Sequence, residues 1–207
     1  MKRRDRLWIW AAAAALLAGH CLAGQAGPPA IGQPAPIFVA KTFDGSDFYL
    51  RDYCGQPRGS RHRQERNILV LSFFATWCQP CRQEMPMLQE LAAKYREDGV
   101  LFYLVNQGQS RDTVENFLFD QVINLPVILD QFEVLAQKFC VRELPTLAVV
   151  DRSGILAEYH TGYHPEYEKT LIHKLDSLLG RLPGPGKKAE GKTAERKAGA
   201  KTKTKNK

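Results

Sequence analysis

The sequence predicts an α/β domain with a mixed central sheet, covered by helices on both faces and extended by an N-terminal β-hairpin. Segments with strand and helix patterns alternate from residue 68 onwards, the order that places helices on the faces of a sheet. A strand pair around a tight turn before this region and another near its end add antiparallel pairings. At 207 residues and 44% apolar composition, the chain fits one domain plus terminal segments.

The elements follow in chain order from apolar periodicity, turn residues and caps. Asp44 and Gly45 mark the first hairpin turn, and 151–154 mark the last one. Ser110 is placed to cap the helix that follows it, and the final helix carries one apolar stripe typical of a core-facing surface. The predicted strands are 37–40, 48–50, 68–75, 100–106, 127–130, 146–150 and 155–160, and the predicted helices are 82–97, 111–121, 132–139 and 165–179.

Cys78 and Cys81 stand three positions apart where the strand 68–75 gives way to a helix. Unpaired N–H groups and the dipole at a helix N-terminus favour thiolate over thiol, so such cysteines titrate at roughly 3.5 to 7.5 rather than about 8.5. Cys78 is therefore the candidate nucleophile, and Cys81, one turn further along, is the candidate resolving residue. The pair predicts reversible dithiol–disulfide exchange without a cofactor.

Glu84 lies three residues after Cys81 on the same predicted helical face. A partly buried carboxylate there can manage the proton of the resolving thiol, because perturbed carboxylates cluster at functional sites. The alternative is an ordinary solvated helix glutamate.

Cys-x-x-Cys pairs also occur in zinc sites, and His160 and His164 have ligand-like spacing. Small zinc modules bring their halves together over roughly 12 to 20 residues, whereas Cys81 and His160 are far apart and no second Cys-x-x-Cys is present. We expect no metal site, with His160 at a strand end and His164 in a loop.

The motif and its surroundings resemble thioredoxin-fold proteins of the TlpA/ResA type over roughly residues 31–182. The matching pieces are FFATW at 73–77, RQEMP at 82–86 and LPT at 144–146. Together they are far more specific than Cys-x-x-Cys alone. The resemblance implies a thioredoxin fold and a periplasmic or extracytoplasmic thiol-disulfide oxidoreductase that usually acts as a reductant.

In the resembling proteins the proline matching Pro145 is cis and faces the sulfurs, which leaves the preceding backbone free to pair with an extended substrate. A trans proline that opens a strand is the alternative. Glu84 matches a glutamate near the buried thiol of the ResA-like subgroup. After the second core strand, where that subgroup often carries an acidic residue, this chain has NQGQS at 106–110. This difference bears on the reduction potential of the cysteine pair and on the surface that contacts a partner. The implied substrate-binding residues are Trp77, Gln79, Pro80, Leu144 and Pro145.

The resemblance also implies partners. These are an exported protein with a disulfide, commonly apocytochrome c, and a membrane electron donor of the thiol-disulfide interchange type. The competing function is a non-catalytic copper carrier on the same fold, which binds the metal with two sulfurs and a histidine. Such carriers usually have three residues between the cysteines, whereas two intervene here.

Residues 1–26 have the pattern of a secretory signal peptide: basic residues, an apolar stretch from 7 to about 19, then small residues. The stretch is shorter than the roughly 18 to 20 residues of a spanning helix, which favours cleavage over an N-terminal anchor. Cys21 raises lipid attachment as an alternative, although His20 is unsuited to the preceding position. We expect export to the periplasm or another extracytoplasmic compartment.

The net charge of +7 comes from the chain ends. The last 21 residues carry nine Lys/Arg against two Glu and the first six carry four against one, which leaves 16 against 19 between them. The tail 183–207 lacks large apolar residues and is predicted to be disordered; it either contacts an anionic surface or serves as a solubilising tail. A second basic stretch at 58–66 has no interleaved aromatics, so no specific nucleic-acid partner is expected.

Removal of a signal peptide leaves four of the five cysteines, so Cys54 and Cys140 need a role. In an oxidising compartment they are candidates for a structural disulfide, to which the chain-entropy model assigns roughly 4 to 5 kcal/mol. Two free thiols, or Cys140 as an accessory redox residue, are the alternatives.

Overall fold

A computed structural model describes residues 27–57 and 66–182. The predicted signal or anchor at 1–26, most of the basic stretch, 58–65, and the Lys-rich tail 183–207 lie outside the described residues.

Strands and helices alternate through the described ranges much as the apolar periodicity predicts. A short 3-10 turn, Arg96–Asp98, joins the longest helix to the next strand. The strands are β1 Val39–Thr42, β2 Asp47–Tyr49, β3 Ile68–Phe74, β4 Val100–Gln107, β5 Val127–Asp130, β6 Thr146–Val150 and β7 Leu156–Thr161; the helices are α1 Leu50–Tyr53, α2 Gln79–Tyr95, α3 Arg111–Asp120, α4 Val134–Lys138 and α5 Tyr167–Leu178.

All of these strands join one sheet in the order β2-β1-β5-β4-β3-β6-β7. The three central strands β5, β4 and β3 are parallel, and the remaining pairings are antiparallel. Because β1 also pairs with β5, the N-terminal hairpin is an edge of the main sheet. The predicted mixed sheet with an N-terminal hairpin is confirmed.

Buried side chains form one cluster on each face of the sheet. Every residue of β3 is buried, as expected for a central strand covered on both sides. The cluster that contains Cys78 and Cys81 also receives buried residues of α2, α3 and α5. The opposite cluster is closed by α1 and α4, and it contains Cys54.

Most helix boundaries differ from the sequence prediction by one to three residues, and at two helices the difference has an identifiable reason. α2 begins at Gln79 rather than at residue 82, with Pro80 in the first turn, where a missing N–H costs no hydrogen bond. α4 is shorter than the predicted 132–139, because Glu133 before it is in the left-handed region at φ 57°. The buried Asp130 carboxylate caps α4 instead, accepting from the N–H groups of Leu135 at 3.0 Å and Ala136 at 2.8 Å.

The segment after the first hairpin also differs from the prediction. Leu50 does not end a strand but opens the one-turn helix α1, with its side chain buried in the core. Among the helices of the two described ranges, none has the length and apolar content needed to cross a lipid bilayer.

Candidate active site

The Cys-x-x-Cys motif lies where β3 passes into α2. Cys78 is the N-cap of α2 in an extended conformation, and its sulfur accepts a hydrogen bond from the N–H of Cys81 at 3.2 Å. The two cysteines form a disulfide, with their Cα atoms 5.3 Å apart. The predicted position of Cys78 at a helix N-terminus is confirmed, and this position favours a thiolate once the bond is reduced.

The residues around the disulfide differ sharply in exposure. Trp77 is 72% exposed, whereas Cys78 is 4% and Cys81 1% exposed. Gln79 and Pro80 are exposed as well. A partner that docks on this rim therefore meets an aromatic ring, an amide and a proline beside the sulfur of Cys78.

Glu84 is held inside the protein, on the helical face that also buries Cys81. Its side chain is 1% exposed, and its Oε2 accepts a hydrogen bond from the Ser72 hydroxyl at 2.8 Å. Burial raises the pKa of Glu84 to about 7, and the Ser72 bond opposes that rise. The alternative of a solvated glutamate is wrong, and the carboxyl group can exchange a proton near neutral pH.

Ser72 was not singled out from the sequence. It lies in β3 with its side chain among apolar residues, and a lone hydroxyl in a strand buried on both faces is the signal that points to it, because a buried polar group needs a partner.

Gln109 fixes the loop that leads into the cysteines and was also missed as a site residue. Its Oε1 accepts from the backbone N–H of Thr76 at 2.7 Å and from Nδ2 of Asn106 at 2.9 Å. Its Nε2 donates to the Thr76 hydroxyl at 2.7 Å. Arg82 holds the other side of the same residue, donating to the Thr76 carbonyl from Nε at 3.1 Å and from Nη2 at 2.6 Å. The NQGQS segment thus holds the loop before Cys78 in place through hydrogen bonds between uncharged groups.

The Leu144-Pro145 peptide bond is cis, as the resemblance implied. Pro145 is buried and its carbonyl accepts from the N–H of Gly162 at 2.8 Å. Leu144 is half-buried and packs against the same cluster that holds Cys78 and Cys81. Leu144 also packs against the opposite cluster, so the proline loop reaches both faces of the sheet.

His160 and His164 take the structural positions predicted for them. His160 lies in β7 and its ring stacks on Tyr167, with centroids 3.7 Å apart. His164 lies in the following loop, with its ring centroid 6.2 Å from that of His160. Within 27–57 and 66–182, no group of three His, Cys, Asp or Glu side chains is placed to hold a metal ion.

The candidate disulfide between Cys54 and Cys140 is not formed. Cys54 lies at the turn end of the last hairpin, where its neighbour Gly55 donates its N–H to the Arg152 carbonyl at 3.0 Å. Cys140 follows Phe139, whose carbonyl accepts from the Tyr159 hydroxyl on β7 at 2.9 Å. The two cysteines thus adjoin different parts of the hairpin. Cys54 instead donates to the Leu50 carbonyl at 3.6 Å.

Comparison with known proteins agrees with this geometry. The AhpC/TSA family model matches residues 31–159. The chain belongs to the AhpC/TSA family. This AhpC/TSA protein is 32% identical over 133 residues to the thiol-disulfide oxidoreductase ResA of Geobacillus thermodenitrificans, which covers 64% of this chain and 70% of that protein. It is 29% identical over 188 residues to ResA of Bacillus subtilis, covering 86% and 96% of the two chains.

Among solved structures, the AhpC/TSA protein is similar to a thiol:disulfide interchange protein of the thioredoxin family from Chlorobium tepidum. The TM-score is 0.56 at 25% identity, over 76% of this chain and 100% of that one. The thioredoxin fold, the resemblance to the ResA type and the thiol-disulfide oxidoreductase activity are thereby confirmed.

Proposed function

We propose that this enzyme is exported and uses the Cys78–Cys81 dithiol to reduce disulfides in other exported proteins. The observation that carries the proposal is the buried Glu84 carboxyl group. Glu84 lies on the same face of α2 as Cys81, and its carboxyl group is hydrogen-bonded to the Ser72 hydroxyl. An internal proton acceptor next to the inner cysteine is what the release step of a dithiol reductant requires.

The reaction begins with the reduced enzyme. The Cys78 thiolate attacks one sulfur of the substrate disulfide, so that a mixed disulfide forms and the first substrate thiolate leaves. Glu84 then takes the proton of the Cys81 thiol. The Cys81 thiolate attacks the Cys78 sulfur, the internal bond forms, and the second substrate sulfur leaves as a thiolate.

The substrate contacts the exposed rim around Cys78 in this proposal. Trp77 offers a large apolar surface, being 72% exposed, and aromatic residues are enriched among the anchors of interfaces. Gln79 and Pro80 lie beside it, and the backbone that precedes Pro145, at Leu144, pairs with an extended segment of the substrate. In this mode of binding the enzyme recognises the short extended segment around a disulfide rather than the folded surface of the whole partner.

The cellular setting belongs to the same proposal. Residues 1–26 direct export or anchor the chain, 31–182 form the catalytic domain, and the Lys-rich tail 183–207 contacts an anionic surface. The substrate type is apocytochrome c, and a membrane electron donor of the thiol-disulfide interchange type restores the dithiol. The similarity to proteins named thiol-disulfide oxidoreductase ResA supports the disulfide exchange on which this setting depends.

The reduction potential of the Cys78–Cys81 couple tests the direction of electron flow. We expect a value below about −200 mV, whereas a value near −120 mV belongs to an oxidant and contradicts the proposal. Stoichiometric copper binding that requires both cysteines would instead favour the copper carrier.

A trapping experiment tests the substrate and the order of the two cysteines. The Cys81→Ser variant, expressed in a host that exports it, is expected to accumulate mixed disulfides between Cys78 and its substrates. These are identified by mass spectrometry after acid quenching. The matched control, Cys78→Ser, is expected to trap nothing. Equal trapping by both variants would contradict the assigned roles.

A further inference from the structure

Three buried polar atoms on the Glu84 side of the sheet have no hydrogen-bond partner among the described residues. They are Oε1 of Glu84, the hydroxyl of Tyr167 and Nε2 of His160. Glu84 is 1% and Tyr167 5% exposed. Buried polar atoms are almost always paired with protein or with ordered water, so these three are suited to a hydrated connection.

The sheet register places the three side chains in one neighbourhood. Ser72 of β3 pairs with Leu147 of β6, and Leu147 pairs with His160 of β7, so the three form a row across the sheet on one face. Glu84 is bonded to Ser72 at one end of the row. Tyr167 stacks on His160 at the other end, with an angle of 9° between the rings. Strands two apart are separated by about 10 Å, and buried residues of α2 and α5 belong to the cluster on this face.

Electrostatic contacts link the same groups. Burial raises the pKa of Tyr167, and the charges of Glu158 and Glu84 raise it further. Tyr167 therefore stays protonated and can pass a proton only by accepting one as it donates its own. Glu158 also pairs with Lys174 of α5 at 3.4 Å.

His160 connects this interior group with the surface. Burial lowers the pKa of His160 and the neighbouring His164 lowers it further, whereas Glu158 and a backbone hydrogen bond at Gly162 oppose the change. His164 is exposed. An imidazole that is neutral near pH 7 can accept a proton from inside and release it outside.

We propose that Tyr167 and His160 are positioning residues that pass a proton between Glu84 and the surface at His164, through water held between their side chains. The inference rests on the proposed function, in which Glu84 takes the Cys81 proton. As the Cys78–Cys81 bond forms and the bond from Cys78 to the substrate breaks, the proton on Glu84 travels outward. The departing substrate thiolate is protonated by solvent, so protons and charge balance.

The two thiol steps can be timed separately with 5,5′-dithiobis(2-nitrobenzoate) and the reduced full-length protein in a stopped-flow instrument. The first release of thionitrobenzoate reports attack by Cys78, and the second reports attack by Cys81. Any contribution of the remaining cysteines, Cys21, Cys54 and Cys140, is measured in the Cys78→Ser, Cys81→Ser double variant and subtracted. Rates are recorded from acidic to alkaline pH, with and without added imidazole.

Tyr167→Phe and His160→Phe keep an aromatic ring at each position and remove the exchangeable group. We expect each to slow the second phase about tenfold near pH 7, since positioned proton transfer contributes about 10² or more. The first phase is expected to be unchanged, and imidazole is expected to restore the second. The matched control is Tyr159→Phe, which removes a hydroxyl bonded to the Phe139 carbonyl in the opposite cluster and is expected to change neither phase.

Second-phase rates within about twofold of the unmodified protein in both variants would overturn the route. A slowing of both phases without rescue by imidazole would overturn it as well, because it indicates a structural role. Glu84→Gln separates the two proposals: if it slows the second phase while the aromatic variants do not, the route fails and the proposed function stands. If Glu84→Gln leaves the second phase unchanged, the role proposed for Glu84 fails first.

Discussion

Gln109 and Thr76 are joined through both ends of the glutamine amide. Oε1 accepts from the Thr76 N–H and Nε2 donates to the Thr76 hydroxyl, each at 2.7 Å. Thr76 stands two residues before Cys78, and Gln109 stands just beyond the carboxyl end of β4. The pair therefore ties the strand next to β3 to the loop that presents the cysteines.

Gln109→Ala is expected to lower the free energy of unfolding of the oxidised protein by about 1 to 3 kcal/mol, because it leaves Thr76 and Asn106 without their shared partner. Denaturant unfolding measures the loss, and a lower rate of insulin reduction is expected to accompany it. Gln137→Ala on the exposed side of α4 is the control, expected to change stability by less than about 0.5 kcal/mol. Equal stability of the two variants would show that the pair does not support the loop.

Glu84 makes stability depend on pH in a direction set by its raised pKa. The pKa rises from 4.5 to about 7 on folding, so between these values the folded state holds a proton that the unfolded state has released. Stability therefore falls as pH rises through this window, by at most about 3 kcal/mol above pH 7.

Glu84→Gln is expected to remove this pH-dependent loss of stability while keeping an acceptor for the Ser72 hydroxyl. The variant gains stability over the unmodified protein at pH 8 and matches it near pH 4.5, as measured by denaturant unfolding of the oxidised forms at both pH values. Glu115→Gln, on the exposed side of α3, is the control. A Glu84→Gln variant that is equally destabilised at both pH values would contradict the expectation.

Trp77→Ala is expected to impair the reduction of a protein disulfide without affecting the fold. The side chain is 72% exposed, so the free energy of unfolding should change by less than about 0.5 kcal/mol. An aromatic anchor commonly contributes more than about 1 kcal/mol to an interface, which predicts a fall in kcat/KM of about tenfold. Phe119→Ala at the far end of α3, 84% exposed, should leave kcat/KM unchanged; an equal fall would mean that Trp77 is not the anchor.

Cys54 and Cys140, which are not disulfide-bonded, are expected to differ in reactivity. Cys54 is 1% exposed, and burial raises its pKa to about 12, so it should resist iodoacetamide in the native oxidised protein and react after unfolding. The half-buried Cys140 should react first. Peptide mapping without reductant checks both expectations, and a peptide of Cys54 cross-linked to Cys140 would refute them.

Much of the candidate site was accessible from the sequence because it is local. Cys78, Cys81 and Glu84 fall within seven residues at a strand-to-helix junction, and helical periodicity alone places the last two on one face. The sequence left the burial of Glu84 open, because burial depends on which face of α2 meets the sheet. The predicted helix 132–139 was too long for a similar reason: the Asp130 side chain, not apolar periodicity, decides where α4 begins.

By itself, the sequence determined the α/β order and the dithiol motif at a helix N-terminus, since each is encoded by neighbouring residues, whereas the role of the proline loop came from the family resemblance. Only the tertiary structure decided the contacts between distant segments: Gln109 on Thr76, Ser72 on Glu84 and Tyr167 on His160. It also placed Cys54 and Cys140 apart. The physical reason is that strand order and register bring such residues together, and both are set by burying two faces of one sheet at once.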